Sequence, residues 1–328
     1  DRPGRALMHS VDSAAQSRRL SRRDALAASA AGILTPWLTA APGLATSRSD
    51  DLTENELCVF TKPFQSLSPS ELANTVAEMG FTGLELPVRP GGHIEPEEVE
   101  DRLPAMVEAL AARQLKVPVL TSGINDPRDP LTERVLRTAA AQGIRFYRMN
   151  YFRYDPDRPI LPQIETWKQT CTELADMNRQ FGISGVYQNH AGRNYFGASL
   201  WDLQRALETI DPQHIGVAYD IRHATLEGGM NWPVTFAMIR PHVTVVYVKD
   251  FQWVERKVEN VALGAGQVDR SFFKMLADNQ FNGPISLHEE YIDHRQPELI
   301  PEHIAACRRD LKTLRSWLAA THGNPGSR

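Results

Sequence analysis

A disulfide framework is the first thing this sequence lacks. Its three cysteines, Cys58, Cys171 and Cys307, are odd in number and widely spaced, which excludes a cysteine scaffold and a zinc cluster. There is no sustained basic stripe either. Lysine and arginine total 36 against 40 aspartates and glutamates, a net charge of −4, so nucleic acid is not an expected partner. No G-x-G-x-x-G follows the first strand-like segment and no P-loop occurs, which argues against an open nucleotide-binding sheet. No glycine loop suited to cradling phosphate is present. Beyond the N-terminal region no run is long and apolar enough to cross a bilayer, so no stable membrane anchor is expected.

The N-terminal region carries Ser21-Arg22-Arg23-Asp24-Ala25-Leu26 followed by an alanine-rich apolar stretch to Leu44. Twin arginines before such a stretch, with small residues at Thr39-Ala40-Ala41 and Gly43-Leu44-Ala45, read as a twin-arginine export signal. The expectation is a signal peptide over residues 1–45, a linker over 46–53, one domain over 54–320 and a flexible tail over 321–328. Residence would be periplasmic or otherwise exported.

From Glu54 onward strands and helices alternate. Expected strands are Leu57–Thr61, Thr82–Leu86, Val117–Thr121, Ile144–Met149, Ser184–Gln188, Ile215–Tyr219, Thr244–Lys249 and Ile285–Glu289. Expected helices between them include Pro69–Met79, with Ser68 and Glu71 forming a capping box, and a last one over Ile300–Ala320. Eight such units at intervals of about 30 residues predict a single-domain (β/α)8 TIM barrel, an α/β fold whose site lies at the C-terminal strand ends. The longest expected loops, Asn150–Pro162, Asn189–Ala198 and Ile221–Asn231, follow strands four, five and six and lie at that end.

Side chains alternate faces along a strand, so parity groups the residues that share the lumen. The groups are Gly83 and Glu85; Val186, Gln188 and His190; Ala218 and Asp220; Tyr247 and Lys249; Ser286, His288 and Glu290. Ionisable groups at strand ends are costly without a partner or a task. His190, Lys249 and Glu290 are therefore acid/base candidates. Glu85, His223, Tyr247 and Glu289 are candidate substrate contacts. A one-residue register difference decides whether Glu289 or Glu290 faces the lumen.

Several segments carry a resemblance. They are Gly80-Phe81-Thr82-Gly83-Leu84-Glu85-Leu86, Tyr219-Asp220-Ile221-Arg222-His223, Val248-Lys249-Asp250-Phe251, the stretch Leu263–Asp269 (LGAGQVD) and Gly283–Glu290 (GPISLHEE). Taken together and in this order, the chain resembles the xylose isomerase-like TIM-barrel family, over roughly Glu54 to Leu318. The resemblance implies a divalent metal, usually Mn2+, Mg2+, Co2+ or Zn2+, held by Glu, Asp, His and Glu on strands five to eight. Asp220 stands at the aspartate position, whereas Gln188, Tyr247 and His288 stand at the other three; the candidate ligands for the implied metal are Asp220, His288 and Gln188, since carboxylate, imidazole and amide oxygen are all competent donors. His223 resembles the family histidine that binds a substrate hydroxyl.

The resemblance implies a sugar isomerase or epimerase acting on a sugar or keto-sugar by proton transfer alpha to a carbonyl. Gln188 cannot act as a base, which puts the family's two-carboxylate mechanism in question. Two alternatives stay open: a lyase on an oxidised (keto) glycoside, and a non-catalytic sugar-binding barrel with a degenerate metal site. The fold also hosts metal-dependent DNA-repair nucleases; the near-neutral charge and the export signal argue against that activity. The expected partner is a small carbohydrate, and an oligomer is left open.

Overall fold

The computed structural model describes residues 55–322. The signal-peptide and linker expectations, and the tail from residue 323, lie outside the described residues. Eight parallel strands close into a barrel in the order β1 (Leu57–Phe60), β2 (Gly83–Val88), β3 (Lys116–Ser122), β4 (Phe146–Arg148), β5 (Ser184–Gln188), β6 (Ile215–Asp220), β7 (Val243–Val248) and β10 (Ile285–Leu287), with β10 paired back to β1. The helices pack outside. They are α1 (Pro69–Met79), α2 (Val99–Ala111), α3 (Pro130–Ala141), α4 (Ile160–Phe181), α5 (Trp201–Leu207), α6 (Ile221–Gly228), α7 (Trp232–Ile239), α8 (Ser271–Asp278) and α9 (Ile300–His322).

Local chemistry sets these boundaries. Ser68 and Glu71 close the expected capping box on α1 with Pro69 in its first turn, and Gly80 ends it in the left-handed conformation at φ 93°, where glycine carries no Cβ penalty. α9 continues through Thr321 to His322, two residues past the expected end. Two elements differ from expectation in kind. The segment after β6 begins as α6, because the Asp220 carboxylate caps it by accepting from the His223 amide at 3.0 Å. The segment after β7 folds as an antiparallel hairpin, β8 (Asp250–Val254) and β9 (Lys257–Val261), which turns at Glu255 with φ 56°.

The core is layered as a barrel requires. Inside the lumen Val119, Phe146, Val186, Ala218, Val245 and Tyr247 pack together. Outside it a continuous shell of leucine, isoleucine and aromatic side chains joins strands to helices. Each fully buried residue of this kind stabilises by about 1.5–3 kcal/mol. Cys58, Cys171 and Cys307 are free and buried. Among the described residues no helix is long and apolar enough to cross a membrane.

Candidate active site

The lumen turns polar at the strand ends, following the expected parity. β4 to β7 and β10 present Arg148, Gln188, Asp220, Lys249 and His288, all buried. Lys249 is the hub. Its Nζ lies 2.8 Å from Glu290 Oε2 and 3.2 Å from Asp220 Oδ2. Burial opposes the ammonium, but Asp220 and Glu290 outweigh burial, and the net shift of its pKa is upward. Burial alone would raise Glu290; the Lys249 ammonium and His288 instead hold its carboxyl well below the usual range. Lys249 is thus a cation and a hydrogen-bond donor at neutral pH, while Glu290 is ionised.

Gln188 has one readable orientation. Its Oε1 accepts from Arg148 at 2.9 Å and from the Tyr151 hydroxyl at 2.5 Å, and its Nε2 donates to Asp220 Oδ2 at 2.8 Å. Flipping the amide would set its NH2 against the guanidinium. Arg148 also donates to the Tyr151 hydroxyl. Asn189 locks the ends of β5 and β6 by accepting from the Asp220 amide at 2.8 Å and donating to its carbonyl at 3.1 Å. Nothing in the local sequence pattern marks Tyr151 or Asn189. Arg148 was legible in principle, since it has the lumen parity of Phe146.

The two histidines over this cluster are neutral. His190 Nδ1 lies 2.8 Å from the Ala191 carbonyl, which can only accept. The proton is therefore on Nδ1, and Nε2 keeps a free lone pair. Burial first, and Lys249 second, lower the His190 pKa to about 4. His223 Nδ1 accepts from Arg222 at 2.9 Å and its Nε2 sits 3.4 Å from Asp220 Oδ2. Burial and Lys249 push its pKa far down. The two rings lie 4.0 Å apart, and Tyr195 stacks on His190 at 4.4 Å.

Three expected substrate contacts sit elsewhere. Glu85 is fully buried, and its oxygens are engaged by Thr121, by Ser286 at 2.8 Å and by His288 Nε2 at 2.8 Å. Burial would raise its pKa, but His288 brings it down to about 2. Its position suits orienting His288 rather than touching ligand. Tyr247 is sealed in the lumen with its ring 4.4 Å from His288. Glu289 points outward: β10 ends at Leu287, and the Glu289 carboxylate pairs with His303 of α9 in a buried contact. Asp250 does not pair with Lys249. Its carboxylate accepts from the amides of Phe251, Gly264, Gly266 and Val268 at 2.8–3.1 Å, which explains the glycine-rich stretch after the hairpin.

The expected metal ligands do not converge. Among the described residues no three histidine, cysteine, aspartate or glutamate side chains gather at a point where an ion could sit. The donor chemistry gives the reason. Gln188 turns its NH2, not its oxygen, toward Asp220. His288 Nε2 belongs to Glu85, and the Lys249 ammonium already sits on the Asp220 oxygen. These residues do not fit a divalent cation. Lys62 and Arg89, on the loops after β1 and β2, add half-buried positive charge without an ion-pair partner among the described residues.

Comparison with known proteins places the fold. The sequence pattern of the xylose isomerase-like TIM barrel matches residues 73–314. The chain belongs to this family. Xylose isomerase-like barrels of known structure superpose along nearly their whole length. A xylose isomerase domain protein from Planctomyces limnophilus has a TM-score of 0.63 at 13% identity, covering 82% of this chain and 99% of that one. The 3-keto-D-glucoside 4-epimerase of E. coli has a TM-score of 0.61 at 18% identity, covering 80% and 100%. A family member from Mycobacterium smegmatis, solved in complex with magnesium, has a TM-score of 0.64 at 12% identity, covering 82% and 99%. No curated protein matches the sequence.

Proposed function

We propose that this xylose isomerase-like barrel is a carbohydrate enzyme that moves a proton alpha to a carbonyl, isomerising or epimerising a sugar or keto-sugar. The observation that carries this reading is the row Glu290, Lys249, Asp220 and His190 along adjacent strands β10, β7, β6 and β5. The central ammonium donates to the substrate carbonyl oxygen as that oxygen gains charge. A flanking base takes the carbon-bound proton, and the C–H electron pair becomes the C=C bond of an enediol(ate). His190 and Glu290 stand at opposite ends of this row. One takes the proton and becomes its conjugate acid; inversion then requires the other to be protonated from solvent before it delivers that proton to the opposite face of the enediol(ate). Asp220, held by Asn189, Gln188 and the α6 amide, fixes the ammonium.

The fold relatives support carbohydrate chemistry, since they include proteins described as a D-tagatose 3-epimerase-like protein and a D-psicose 3-epimerase. A lyase acting on a keto-glycoside begins with the same proton removal. It is favoured by one observation: a neutral His190 that accepts that proton can hand it to a leaving oxygen. The test is incubation of the mature protein with ketoses and 3-keto-glycosides in D2O, followed by NMR. Deuterium in recovered substrate or epimer supports isomerisation; deuterium-free substrate with an unsaturated product supports the lyase. We also propose export by the twin-arginine route. Replacing Arg22 and Arg23 by lysine should leave the protein in the cytoplasmic fraction, whereas unchanged export would refute the signal.

A further inference from the structure

Two carboxylates from different strand ends converge on one buried ammonium. Asp220 sits at the end of β6 with no exposure, Glu290 follows β10, and Lys249 follows β7, 5% exposed, at 3.2 and 2.8 Å from their oxygens. Holding two anions together at the mouth of a barrel is the task that a divalent cation performs in a carboxylate site. Everything around this point is arranged for an internal cation instead. The Gln188 amide offers hydrogen to Asp220, and its oxygen is occupied by Arg148 and Tyr151. A carboxylate in place of Gln188 would instead have offered a ligand oxygen beside Asp220.

We infer that Lys249 is a built-in replacement for a divalent cation: its ammonium occupies the cation position between Asp220 and Glu290 and serves as the electrophile of the site. The electrophile half rests on the proton-transfer reading above; the cation position does not. Gln188 belongs to the same device. A third carboxylate at this position would keep Arg148 as a partner but would set a second anion against Asp220, where the amide now donates. The neutral amide avoids that and supplies a further donor to Asp220.

The test is Mn2+ binding, read by loss of the free-ion paramagnetic resonance signal and by thermal shift, with no substrate present. Wild-type protein should leave the Mn2+ signal and the melting temperature unchanged at millimolar ion. Lys249→Ala combined with Gln188→Glu vacates the position and supplies a third carboxylate. It should bind one Mn2+ per chain at least about tenfold more tightly than wild type and gain melting temperature when Mn2+ is added. Lys249→Ala alone should fall between the two. One tightly held Mn2+ on the wild type overturns the inference, as does a folded double variant that binds none. If the variants do not fold, the wild-type titration still decides. Because no turnover is read, failure of the proposed sugar chemistry would leave this result intact.

Discussion

Gln188 sets the charge balance of the barrel mouth because its amide is fixed from both ends, by Arg148 and Tyr151 on the oxygen and Asp220 on the nitrogen. With glutamate there, Arg148 would keep a partner, but Asp220 would lose its amide donor and face a like charge. Asp220→Asn preserves the cap of α6, since asparagine caps as well as aspartate, but removes one of the two anions that position the ammonium. Turnover should drop by about 100-fold or more with a melting temperature close to wild type, as steady-state rates and calorimetry would show; undiminished turnover would remove Asp220 from the site. Strand parity made Gln188, Asp220, Lys249 and His288 legible, because a two-residue period needs no knowledge of neighbouring strands. It could not reveal that Tyr151 and Asn189 reach in from loops. Nor could it settle Glu289 against Glu290, which depends on where β10 stops.

The chain leaving β7 splits its tasks between two adjacent residues. Lys249 enters the lumen, whereas Asp250 turns into the loop and gathers four backbone amides. Gly266 is required there: an added Cβ would lie 2.2 Å from the Phe251 carbonyl oxygen and 2.3 Å from Asp250 Oδ1. Asp250→Ala would strand those amides and should cost at least about 3 kcal/mol, measured by urea unfolding. On the far side of β10, His303→Ala removes one partner of the buried Glu289 carboxylate and leaves it the Tyr291 and Ile292 amides. It should lose about 1–3 kcal/mol while the folded fraction keeps its specific activity. A selective loss of activity would instead place Glu289 in the site. The hairpin and α6 escaped the sequence for physical reasons. Glu255 takes a left-handed turn that glycine or asparagine usually marks. The start of α6 depends on Asp220, a residue already assigned to β6 and the lumen, while Gly228 and Gly229 gave its segment the composition of a loop.

At the scale of the whole molecule, the barrel was readable because eight strand patterns alternate with helices whose caps and glycine stops are local signals. How well the strand ends fit a metal was not readable, because that depends on which way an amide and a lysine point. Burial also gives the fold a pH dependence. His93 and His190 are held neutral, each with its pKa lowered to about 4, chiefly by desolvation. A lowered histidine pKa means that the unfolded chain binds more protons between about 6.5 and 4, so stability falls as pH falls through that window. Each should remove about 2 kcal/mol between pH 7.5 and pH 5. Urea midpoints at those two pH values check this, and a flat profile would contradict the buried neutral state. The proposed electrophile for proton transfer is the Lys249 ammonium rather than a metal. The most direct test is deuterium uptake into a keto-sugar by chelator-treated protein, compared with the same protein reloaded with Mn2+ and with Lys249→Met. Equal uptake is expected with and without chelator, and none in Lys249→Met; uptake that appears only after Mn2+ is restored would rule out an ammonium-driven transfer.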